Sequence, residues 1–133
     1  MEIEGKSPMT GMTQEEKDEY IMGKAMEIIM SSGDARNLAS QAMNEIAKGN
    51  LDEAKALLKD ADKLQAAAHN IQTDMIQGDI RGGDEKMGYY VLFAHAQDTL
   101  MTIQSEINLT KSMLKIAKNY EARLAALENK ASE

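Results

Sequence analysis

Apolar residues recur along most of this chain at alternating steps of four and three, the spacing that keeps side chains on one face of an α-helix. Ile21, Ala25, Ile28, Ser32, Ala35, Ala39, Ala42 and Ile46 hold that phase across Ser31-Ser32-Gly33, which predicts one long helix to about Lys48, with Gly33 the place for any bend. Thr13 and Glu16 make a capping-box signature before it, and Gly49-Asn50 is a stop signal after it. A second helix carries Ala54, Leu57, Ala61, Leu64, Ala68, Ile71 and Met75 and is expected to end at Gly78. A third should run from about Met87 to beyond Leu127, with Tyr89, Phe93, Ala96, Leu100, Ile103, Ile107, Leu114 and Leu124 as its core stripe. Between them, Gly78 to Lys86 reads as a flexible, charged, glycine-rich connection; it follows a helix and lacks the GK[ST] ending of a nucleotide-binding loop. Met1 to Met12, with Gly5, Pro8 and Gly11 and no periodicity, reads as a mobile tail (1–12) before a single domain (13–130). The pattern therefore predicts an all-α fold, an antiparallel three-helix bundle.

The third helix carries a second apolar stripe. At roughly 100° per residue, Val91, Leu109, Ile116 and Tyr120 point to the side opposite Leu100, with Met113 nearby. A three-helix bundle buries only one side of each helix. An apolar band on the far side asks for another partner, most simply further copies of the chain, and predicts a homo-oligomer assembled along this helix.

Composition narrows the function. The chain has 133 residues, enough for one core. It has no cysteine, hence no disulfide framework, zinc–thiolate site or thiolate nucleophile. The formal net charge is −7, which repels a phosphate backbone or an anionic membrane surface and favours a basic protein as partner. Neither a membrane span nor a signal-peptide-like run is present, so a soluble, cytoplasmic protein is expected. Eleven Met and a single Phe suit adaptable packing between closely approaching helices.

Candidate chemistry centres on one of the two histidines. His95 flanks the second stripe, Asp98 sits inside it one turn on, and Thr99 and Thr102 are close by on the same helix. An acid and an imidazole at i, i+3 share a face, where the carboxylate can orient or polarise the ring. Three readings stay open on spacing alone. The pair is a chance surface neighbourhood, or half of a metal site completed by other subunits, or a nucleophilic imidazole that attacks phosphorus through one nitrogen while the other is held. His69, on the second helix, has Gln72 and Thr73 where an acid would stand, and is expected to be hydrogen-bonded in place rather than reactive.

The wording of the segments goes further. His95-Ala96-Gln97-Asp98, followed by Leu100-Met101-Thr102, resembles the active-site signature of the enzyme IIA family for lactose, cellobiose and diacetylchitobiose in bacterial sugar phosphotransferase systems. Ser32-Gly33-Asp34-Ala35-Arg36 is similar to that family's SG-x-AR segment, and Ala68-His69 with Gln72-Thr73 to its AH-x-x-QT segment, in order and on the matching helices. The resemblance spans roughly residues 17 to 120. It implies that His95 is the phosphorylated residue, modified on its outer ring nitrogen, with Gln97 and Thr99 as supporting polar groups. It also implies a homotrimer in which the Asp98 carboxylates meet on the three-fold axis, where they must be protonated or share a cation, with Mg²⁺ the natural candidate for oxygen ligands. Family members often carry a second histidine after the aspartate; Thr99 stands there instead and offers only a hydroxyl.

The implied role is a phosphocarrier. HPr would donate a phosphoryl group to His95, and a cysteine of the sugar-specific enzyme IIB would take it on; no organic cofactor and no sugar pocket are implied. Two rivals of other classes remain, a non-enzymatic helical adaptor and an oligomeric metal-dependent enzyme at His95 and Asp98.

Overall fold

The computed structural model describes residues 7–132, and these form three helices: α1 (Gln14–Lys48), α2 (Leu51–Arg81) and α3 (Val91–Ala131). α1 starts where the capping box predicts it. The Thr13 hydroxyl accepts the Glu16 backbone N–H at 3.2 Å, and the Glu16 carboxylate receives that same hydroxyl at 3.3 Å. It stops at Gly49, whose φ of +83° lets the next N–H turn back onto the Glu45 carbonyl at 2.9 Å. With so short a turn, α2 runs antiparallel to α1, and a longer connection returns α3 alongside both.

The core is a line of small and branched side chains that the α1 spacing anticipates closely. Ile21, Ala25, Ile28, Ser32, Ala35, Ala39 and Ala42 are all buried, Ala permitting close approach of helix backbones. Two apolar clusters result, one around Ile28, Phe93 and Leu100, the other around Ala54, Ile103 and Ile107. Buried Gln65 lies on α2 between the stretches feeding them; its Nε2 donates to the Leu100 carbonyl at 2.8 Å, a tie that pins α2 against α3 in one register. On α2 the expected Ala54, Ala61, Ala68 and Met75 are buried, but Leu58 and Gln65 take the inward positions where Leu57 and Leu64 were expected, and those two are half-buried beside them.

Three expectations are corrected. α2 continues through Gly78 to Arg81, because Gly78 supplies space rather than a stop: a Cβ there would meet the Glu85 side chain, which folds over it and binds Arg81 at 2.8 Å. The connection that follows is pinned rather than free. It contains a 3₁₀ turn at Gly83–Glu85, the Asp79 carboxylate accepts the Met87 N–H at 2.7 Å, and Lys17 pairs with Asp84 at 3.8 Å. α3 consequently begins at Val91 instead of Met87, since Gly88 at φ +86° cannot continue a helix; Tyr89 points to solvent, 81% exposed, and Tyr90 turns inward instead.

The tail is a further correction. Residues 1–6 of that stretch lie outside the described residues, but Ser7–Met12 forms a turn, with the Thr10 N–H on the Ser7 carbonyl at 3.0 Å, and Met9 is 4% exposed within the Ile28–Phe93 cluster. A thioether driven inward offsets the entropy of ordering a few residues, which the polar composition of the segment concealed. Met9→Ala is expected to destabilise the protein by about 2 kcal/mol in denaturant unfolding, the usual cost of emptying a buried methionine site. An unchanged midpoint would mean the turn does not hold in solution.

The core stripe of α3 ends near Leu114. Beyond Ala117 every described residue is exposed, because α1 and α2 have no residues left to cover it. Leu124, expected in the core, is 57% exposed for that reason. The overhang of 14 residues up to Ala131 projects about 20 Å past the bundle. Among the described residues no helix is long and apolar enough to cross a membrane.

Candidate functional site

α3 brings the candidate residues together through its own geometry. Helical side chains lean toward the helix N-terminus, so the His95 imidazole lies over the first turn of α3. There His95 lines an open, almost wholly apolar hollow of about 460 Å³ with Met22 of α1 and with Tyr90, Val91 and Leu92. The imidazole is exposed, and so is Asp98 one turn on. No hydrogen bond links the two side chains among the described residues. The carboxylate lies about 60° round the helix from the histidine, on the same face but not against it.

The supporting residues divide. The Thr99 hydroxyl donates to the His95 carbonyl at 2.8 Å, a local bond that occupies it on the backbone of the residue it was expected to assist. Gln97 is about 200° round the helix from His95, and it lines a different hollow with Asp79, Met87, Tyr89 and Phe93. Within one chain Thr99 therefore stays beside His95 and Gln97 does not.

His69 does not behave as expected. It is exposed on α2, and among the described residues its side chain makes no hydrogen bond. A metal centre fares no better in a single chain, since no group of three or more His, Asp or Glu side chains is gathered among the described residues. One carboxylate per chain binds a divalent cation only if several copies converge.

Sequence reasoning missed the contacts that fix the approach to His95. The Tyr90 hydroxyl donates to the Asp18 carboxylate at 2.6 Å, and Gln14 Nε2 donates to the same oxygen at 2.9 Å. The bond from Tyr90, helped by Gln14, holds the Asp18 carboxyl below its ordinary value, and the same bond raises the Tyr90 phenol above its own. The signs bracket a window: the depressed carboxylate contributes stability that is lost as pH falls through its folded value, and the raised phenol one that is lost as pH rises through its own. The motif residues of α1 prove structural: Ser32 and Ala35 are buried, and the Arg36 guanidinium binds Glu106 of α3 through two bonds of 2.8 and 2.9 Å.

Known proteins resemble this arrangement in both sequence and shape. The phosphotransferase-system lactose/cellobiose-specific IIA subunit family matches residues 23–118. The galactose-specific EIIA component of Lactococcus lactis subsp. cremoris is 39% identical over 113 residues, covering 85% of this chain and 91% of the relative. The crystal structure of the cellobiose-specific enzyme IIA of Bacillus anthracis superposes with a TM-score of 0.70 at 32% identity, over 84% of this chain and 94% of that one. The chitobiose IIA of Escherichia coli, solved in complex with HPr, gives a TM-score of 0.66 at 30% identity, over 76% and 96%. With the three helices, the histidine-bearing face of α3 and these likenesses in agreement, the chain belongs to the lactose/cellobiose-specific IIA family of phosphotransferase-system components.

Proposed function

We propose that this protein is a cytoplasmic phosphocarrier of a disaccharide uptake system, accepting a phosphoryl group from HPr on His95 and passing it to a cysteine of a sugar-specific IIB. The observation that carries the reading is the position of His95, an exposed imidazole at the rim of an apolar hollow in the first turns of α3. A free ring nitrogen there is open to a second protein, and the surrounding apolar side chains suit a docking surface that excludes water.

The transfer is a displacement at phosphorus. The outer nitrogen of His95 attacks in line as the donor's bond to phosphorus breaks; the leaving group keeps that electron pair and takes up the proton that the imidazole gives up. A thiolate of IIB repeats the step in the forward direction, and His95 regains its proton. The protein's share is alignment and charge stabilisation, helped by the positive end of the α3 dipole one turn away. The net charge of −7 steers a basic donor. In this reading sugar specificity lies in the partner subunits, in keeping with related proteins that take their names from galactose, cellobiose and chitobiose.

The working unit in this reading is a homotrimer packed along the exposed side of α3, with three Asp98 carboxylates near its axis. Asp98 is the residue that would hold a shared Mg²⁺, whose chemistry there is neutralisation of converging negative charge. Asp98→Leu is expected to leave the trimer intact or to strengthen it, measured as mass by analytical ultracentrifugation. Dissociation to monomers would show instead that carboxylate–cation bridging holds the copies together.

The functional test is incubation with enzyme I, HPr and phosphoenolpyruvate. An acid-labile mass gain of about 80 Da supports the relay; no gain under conditions where HPr is itself phosphorylated leaves only a helical adaptor.

A further inference from the structure

We propose that Asp18 and Tyr90 form a positioning latch that sets where α3 begins, and so where the His95 imidazole stands for transfer; this rests on the phosphocarrier reading. α3 starts without a side-chain cap: Tyr90, the residue before it, is extended and satisfies none of the first-turn donors with its side chain. The connection leading to it contains Gly82, Gly83 and Gly88, all at positive φ, so its own backbone does little to fix the start of the helix. Its other ties, Arg81–Glu85, Lys17–Asp84 and the Met87 N–H on Asp79, all lie at or before Met87.

Tyr90 supplies the last one. Its hydroxyl reaches across to α1 and donates to Asp18 at 2.6 Å, and Gln14 Nε2 braces both partners at 2.9 Å from the carboxylate and 3.4 Å from the phenol oxygen. Its backbone carbonyl accepts the Ala94 N–H at 3.0 Å, which opens the helical ladder one residue before His95. The ring of Tyr90 also lines the hollow that His95 enters. Both partners have the titration shifts of a phenol donating to a carboxylate, in agreement with the geometry. A charge-assisted bond between two residues 72 positions apart in the chain thus fixes the axial position and rotation of the turn that presents His95. Without it the glycine-rich segment lets the first turn of α3 fray, and the imidazole loses its in-line orientation.

The test uses the full chain and phosphorylated HPr at varied concentration. Tyr90→Phe removes one oxygen and keeps the ring; Asp18→Ala removes the acceptor; Asp18→Asn keeps an oxygen that still accepts. Tyr90→Phe and Asp18→Ala are each expected to slow acceptance at saturating HPr about tenfold, with KM within about twofold of wild type, as misplacement of a reacting group does. The double variant should be no slower than the slower single, and Asp18→Asn should recover most of the rate. The carbon-bound proton resonances of the His95 ring should shift in Tyr90→Phe without any donor present. Rates within twofold of wild type, or a raised KM at unchanged kcat, would overturn the latch. A wild-type chain that accepts nothing from active HPr defeats the phosphocarrier reading alone; the latch then stands or falls on the His95 resonances.

Discussion

Replacing His95 by alanine is expected to abolish phosphoryl acceptance altogether while leaving the fold intact. The imidazole is exposed on the side of α3 away from the core, so its loss opens no cavity, and alanine is the best helix former. Unfolding free energy should stay within about 0.5 kcal/mol of wild type. The mass gain of about 80 Da should vanish, because the described chemistry offers no other nucleophile beside it: the chain has no cysteine, and the Thr99 hydroxyl is occupied on the His95 carbonyl. His69→Ala is the informative control. His69 stands on another helix and does not line the hollow around His95, so that variant should accept phosphate at the wild-type rate. Phosphate retained by His95→Ala and lost from His69→Ala would move the reaction to α2 and remove the basis of the proposal.

The two histidines also show what a sequence discloses of such a site. Position on a face is legible, because helical periodicity is rigid: His95, Asp98, Thr99 and Thr102 had to share one side of a helix once Phe93, Ala96, Leu100 and Ile103 took the other. What each polar group bonds to was not legible. Thr99 can satisfy its hydroxyl on the preceding turn, and does, at only a slight cost to the helix. Gln97 looks adjacent to His95 in the chain, yet an offset of two in an α-helix sends it to the far side.

The segment between α2 and α3 was the least legible, for a related reason. Glycines at 78, 82, 83 and 88 look alike in a sequence but serve different ends. Gly78 is helical and makes room for Glu85, whereas Gly82, Gly83 and Gly88 take positive φ. The charges among them read as solvation, and only the fold shows Asp79, Asp84 and Glu85 each committed to a partner. The core itself was read almost residue by residue on α1, where Gly23 and Gly33 lie off the buried stripe and leave the helix unbroken. It was read less well on α2, where a polar Gln65 takes an inward position because Leu100 offers it a carbonyl.

A charge placed in the exposed seam of α3 should take the proposed trimer apart. Leu109, Met113, Ile116, Tyr120, Leu124 and Leu127 are 44–66% exposed, and the last three stand on the overhang that neither α1 nor α2 reaches. Val91, Asp98, Leu109, Ile116, Tyr120 and Leu127 fall within about 20° of one line along the helix, at intervals built from 7, 11 and 18 residues. Steps of 7 and 11 drift in opposite senses and cancel over 18 residues, which keeps the line straight, where a strict seven-residue repeat would wind it into a left-handed supercoil. Copies of α3 packed in parallel would therefore lie side by side with little supercoil, the overhang extending the contact past Asp98. Each fully buried seam side chain contributes about 1.5–3 kcal/mol, so an aspartate at Ile116 and another at Tyr120 should cost several kcal/mol per copy, enough to convert a micromolar oligomer to monomers. Sedimentation should read that change directly. Because neither side chain touches the bundle core, helix content should fall only by the overhang, since a helix of that length without a partner is marginal in water. An oligomer of unchanged mass in the double variant would mean that the copies meet elsewhere.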